Sequence, residues 1–163
     1  MDNTCVVVAG SGRARIFLLE ESPAPRAPFR LIERGTLANA DLRSRGRSVT
    51  GRPRTETNTN REAGPVHPMG AQRERHRIEL ERRFSVEIAR QAAALARNWS
   101  TGSVVLVADP RMLGFLRDAA RGALKPGIRV KELAKDYAHL TASKLQDHLA
   151  LSGILPARDG GAR

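Results

Sequence analysis

Between Asp41 and Arg77 the chain carries nine arginines, Arg43, Arg45, Arg47, Arg52, Arg54, Arg61, Arg73, Arg75 and Arg77, against four carboxylates, Asp41, Glu56, Glu62 and Glu74. Guanidinium groups meet phosphates through forked hydrogen bonds and displace their counterions, so a local surplus of this kind points to a polyanionic partner. The whole chain agrees, with a formal charge of +11 and an isoelectric point near 11.3. Nucleic acid or a ribosome is favoured over a membrane surface. Aromatic residues make up only 4%, too few for the base-stacking platforms of RRM-like or cold-shock modules.

Other chemistries find less support. His67 and His76 flank the Met69-Gly70-Ala71-Gln72 tip and are of the residue type used as general acid or base, although a lone loop histidine is more often simply solvated. A metal nuclease needs carboxylates converging on two cations, whereas Glu20, Glu33, Asp109 and Glu132 are scattered over strand ends and turns. Asp136 and His139 stand three apart without a third ligand. Ser100, Thr101 and Ser103 follow Trp99 with no histidine partner in a recognisable motif. In Gly10-Ser11-Gly12, Arg15 takes the last glycine position of GxGxxG, and strand character resumes where a nucleotide loop would open a helix. Cys5 is the only cysteine, which excludes an intramolecular disulfide and leaves no zinc cluster. No metal and no cofactor are expected.

The elements that must position these residues are legible from period and punctuation. Residues 4–9, 14–20 and the run around Phe29, Leu31 and Ile32 read as three strands of an antiparallel meander. Residues 36–70 show no period and form a long, flexible basic loop, far beyond the usual connection length. A helix from about Gln72 to Asn98 places Leu80, Phe84, Ile88, Ala92 and Leu95 on one stripe, and Trp99 closes its end against the core. Residues 103–108 read as a buried strand, and Asp109-Pro110 as a helix start. That helix buries Met112, Leu113, Leu116 and Ala120 and ends near Gly122; a last strand over 128–133 follows. Thr141 caps the terminal helix, with Leu140 and Leu145 placed as a hydrophobic staple. The order predicts one α/β domain over residues 1–155, built on a single mixed sheet with helices on its faces, and a frayed tail over 156–163.

The stretches VVVAGSGRARIFLLE, RHRIELERRFSVEIARQ, VVLVADPRMLGFLR and VKELAKDYAHLTASKLQDHL, with the arginine-rich loop, carry a likeness over nearly the whole chain. By these it resembles the bacterial host-attachment family, proteins required for attachment to host cells. That family is related to the middle domain of archaeal and eukaryotic peptide release factors and of Pelota. The resemblance implies a ribonuclease H-like fold of about five strands. It also implies a role for Gly70-Ala71-Gln72, which sits where release factors carry the Gly-Gly-Gln that helps water cleave peptidyl-tRNA. Gly70 and Gln72 would be the catalytic pair, with glycine needed for backbone conformations barred to residues with a Cβ. Ala71 departs from that pattern.

Three functional expectations follow. The first is a non-enzymatic RNA- or ribosome-associated factor that uses the nine arginines. The second is hydrolysis of peptidyl-tRNA or a related ester by Gly70 and Gln72 on stalled ribosomes. The third is an indirect effect on attachment to host surfaces. Asp2 stands where a secretory leader would be basic, and no apolar run reaches membrane-span length. A cytoplasmic location without membrane association is therefore expected, and an exposed sheet edge leaves room for a homodimer.

Overall fold

The computed structural model describes residues 2–42 and 67–158. Among the described residues, five strands and three helices of ten or more residues follow one another as β1 (Asn3–Ala9), β2 (Arg13–Glu21), β3 (Phe29–Ala38), α1 (His67–Leu95), β4 (Gly102–Ala108), α2 (Pro110–Ala123), β5 (Ile128–Ala134) and α3 (Ala142–Leu151). The sheet order is β3-β2-β1-β4-β5. β1, β2 and β3 form the expected antiparallel meander, while β4 and β5 run parallel to β1. This is the mixed five-stranded α/β sheet expected from the sequence.

The centre of the sheet is dry because both of its faces are covered. In β1 and β4 every residue from Cys5 to Ala9 and from Gly102 to Ala108 is buried, as a continuous β-branched run requires when helices lie on both sides. Cys5, Val7, Ile16, Val104 and Leu106 point to the face where α1 lays down Phe84, Ile88 and Ala92 and α2 adds Met112 and Leu116. Val6, Val8, Phe17, Val105 and Val107 point to the other face, where α3 contributes Leu145 and Leu149. Burial pushes the Cys5 thiol up to about 12, so it is inert at neutral pH.

Two boundaries differ from the sequence reading. β3 runs on through Thr36, Leu37 and Ala38, pairing with Arg15, Ala14 and Arg13, where the sequence suggested that a loop had begun. The cause is a bulge. The register steps from Phe17↔Glu33 to Ile16↔Gly35 and leaves Arg34 as the extra residue. A one-residue bulge moves later side chains to the opposite face. Leu37 therefore joins the α1/α2 side while Leu31 lies on the α3 side, and the apolar alternation breaks midway. α1 begins at His67, before the expected Gln72, and ends at Leu95. Ala71, Gln72 and the residues that follow favour helix, and Pro68 falls in the first turn, where its missing N–H costs nothing. After α3, Leu155 is buried and Arg158 pairs with Asp147 at 3.2 Å.

Gln146 occupies an edge. Its side-chain amide accepts from Leu31 N and donates to Phe29 O, both at 3.0 Å, standing in for a missing neighbour strand of β3. Gln146→Leu should leave both backbone groups without their partner and destabilise the domain by about 1–3 kcal/mol, read from the urea midpoint at unchanged m-value.

Candidate functional site

In an open α/β sheet, ligands collect outside the carboxyl ends of the parallel strands, where the connections diverge to either side. Here β1 turns back through Gly10-Ser11-Gly12 into β2, with Gly10 N donating to Arg13 O at 2.8 Å, while β4 turns into α2 at Asp109. Asp109 caps α2, accepting from Met112 N at 3.0 Å, with Pro110 in the first turn as the sequence predicts. The connection after β3 leaves from the same edge, and α1 enters over it.

Asn39 ties these segments together. Its backbone N donates to Gly12 O at 2.9 Å, and its buried side-chain Nδ2 donates to Ser11 O at 3.2 Å and Leu80 O at 3.4 Å. Leu80 is also the first buried residue described along α1. From His67 to Glu79, about 20 Å of helix therefore extends past the point where the sheet covers it.

A carboxylate secures that extension. Glu81 is 1% exposed and accepts from Arg111 Nη2 at 2.9 Å, with Arg77 Nε at 3.4 Å. Arg111, in the first turn of α2, also donates to Glu74 Oε1 at 2.9 Å. One guanidinium thus grips the helix at two points seven residues apart. Glu81, and Glu74 to a lesser degree, raise the Arg111 pKa above its ordinary high value.

Of the predicted contact residues, Arg73 and Arg75 are exposed on this arm and in no ion pair among the described residues. Arg77 is half exposed but committed to Glu81. Arg43, Arg45, Arg47, Arg52, Arg54 and Arg61 lie outside the described residues, as do any contacts they make. Gly70 and Gln72 are exposed within α1 rather than in a loop ahead of it. Gly70 has no positive φ, and a Cβ there would meet nothing within 4 Å. Gly70 therefore lies in ordinary helical backbone.

The carboxylates considered for metal chemistry have other employment. Glu20 pairs with Arg34, Glu33 with Arg15 at 3.0 Å, Glu132 with Arg117 at 2.5 Å, and Asp109 caps α2. Among the described residues no three His, Cys, Asp or Glu side chains group as a metal site. Asn39, Glu81 and Arg111 escaped the sequence reading. The single available signal was Glu81 itself, an acid beside Leu80 on the flank of the apolar stripe.

The model of a family described as "Protein required for attachment to host cells" matches residues 5–149. A comparison with curated proteins finds no match.

Two outcomes test this geometry. Arg111→Ala removes the principal partner of a buried carboxylate and should cost about 1–3 kcal/mol, with Glu81→Gln in the same chain restoring part of the loss, both read by chemical denaturation. Arg117 holds the Glu132 carboxyl below its ordinary value of 4.5. A lowered folded-state pKa contributes stability above the unfolded value and loses it as pH falls through the folded one. Acid titration of Glu132→Gln should therefore show a shallower stability loss below pH 4.5 than the wild type.

Proposed function

Since the chain belongs to the family of proteins required for attachment to host cells, we propose that it is a non-enzymatic RNA- or ribosome-associated factor whose part in attachment is indirect, through expression of surface components. The observation that carries this reading is the arm of α1, which extends past the sheet and presents Arg73 and Arg75 in no ion pair among the described residues. Charges held on a rigid helix need less ordering when they meet phosphates than charges on a free chain do. The Asn39 and Arg111 contacts give the arm that rigidity. The ribosome as the source of the RNA is part of this proposal and rests on the resemblance drawn from the sequence, through the family, to the middle domain of release factors and Pelota. Hydrolysis through Gln72 draws nothing from an ordinary helical Gly70.

Co-sedimentation with ribosomes at low and moderate salt tests the proposal. Wild-type protein should pellet in a salt-sensitive manner. Arg73→Gln/Arg75→Gln should pellet less, and in direct RNA binding should show a log–log salt slope shallower by about 2. A wild type that neither pellets nor binds RNA at low salt rules the reading out.

A further inference from the structure

The outward face of α1 carries a charge pattern of its own. Arg83, Arg90 and Arg97 recur every seven residues; Arg83 and Arg90 lie within about 20° of one another around α1 and about 10.5 Å apart along it, and Arg97 follows in the turn just past the helix end at Leu95. Leu80, Phe84, Ile88 and Ala92 are buried on another side of the helix, so Arg83 and Arg90 point to solvent. The Arg83 side chain is 70% exposed, and Arg90 and Arg97 are exposed as well. At the far end Lys125 donates from Nζ to Arg97 O at 2.8 Å, adding an ammonium where the row stops.

Two carboxylates lie near this row, and they leave most of it free. Glu79 pairs with Arg82 at 2.8 Å and with Arg83 at 3.4 Å. Exposed Glu87 is in no ion pair among the described residues, and neither are Arg90 and Arg97.

The chemistry of the face selects the partner. A helical protein partner would need an apolar seam, yet Val86 is the only large apolar side chain exposed on α1 among the described residues. Unpaired bases would need aromatic platforms, whereas Phe84 is buried, Trp99 is half-buried against the core and Phe115 lies under the Arg82 guanidinium at 5.3 Å. What remains is a run of cations along the last turns of α1 and into the turn that follows it, suited to a stiff and regular phosphodiester backbone. We propose that the outward face of α1, with Arg97 just past its end, binds double-helical RNA through the RNA phosphodiester backbone, without reading sequence. This rests on the RNA reading above but uses different residues.

Fluorescence anisotropy on a labelled RNA duplex of about 16 base pairs, and on one of its strands alone, separates the possibilities across a salt series. The proteins compared are the wild type, Arg83→Gln/Arg90→Gln/Arg97→Gln and Arg73→Gln/Arg75→Gln, each checked for wild-type thermal unfolding. The triple variant should bind duplex at least about tenfold more weakly, with a salt slope shallower by about 2 to 3, and the wild type should prefer duplex to single strand. Unchanged duplex affinity and slope in the triple variant, alongside weakening in the double variant, would overturn the outward face and leave the RNA reading standing. Equal wild-type affinity for duplex and single strand would overturn the duplex assignment. Absence of salt-sensitive binding to either RNA would end both proposals.

Discussion

A seven-residue strand is about 23 Å long, and a 29-residue helix about 43 Å. That mismatch governs the architecture. α1 cannot be buried along its whole length against β1 and β4, so roughly half of it must continue into solvent. The sheet settles which half, because the apolar stripe begins at Leu80 and continues through Ala92. From Gly70 to Arg75 every residue is exposed, and among the described residues of α1 none is fully buried before Leu80, which leaves that stretch available for charge.

A projecting helix is useful only if its direction is fixed. Packing alone cannot hold a segment that touches no core, and polar contacts do so here. Asn39 grips the helix at Leu80 O, and Arg111 bridges Glu74 and Glu81 from the start of α2. Burying Glu81 carries a desolvation cost, which two guanidinium groups offset. Such an arrangement contributes little net stability and much orientation.

The remaining ion pairs act between neighbouring elements. Arg15 stacks over Phe17 at 4.9 Å, pairs with Glu33 and donates to Leu140 O at 2.5 Å, which fixes the approach to α3. Arg117 links α2 to β5 through Glu132. Carboxylates that a nuclease would need at its centre are instead spent on holding elements together.

The sequence by itself determined the strands, the order of elements, the α1 stripe and both helix caps, because each rests on contacts within a few residues: period, β-branching, Asp109-Pro110, Thr141. Its likeness to the family was legible for the same reason, being carried by contiguous stretches. Only the tertiary structure decided the rest. The Arg34 bulge depends on pairing with β2, and it hid the end of β3 by reversing the alternation. Asn39 meets Leu80 across 41 residues, and Arg111 meets Glu81 across 30, distances over which no local pattern carries information. Of three arginines alike in sequence, Arg73 and Arg75 are left open to solvent while Arg77 is taken by Glu81. That division follows from which side of the helix faces α2, and the orientation exists only once the helix has docked.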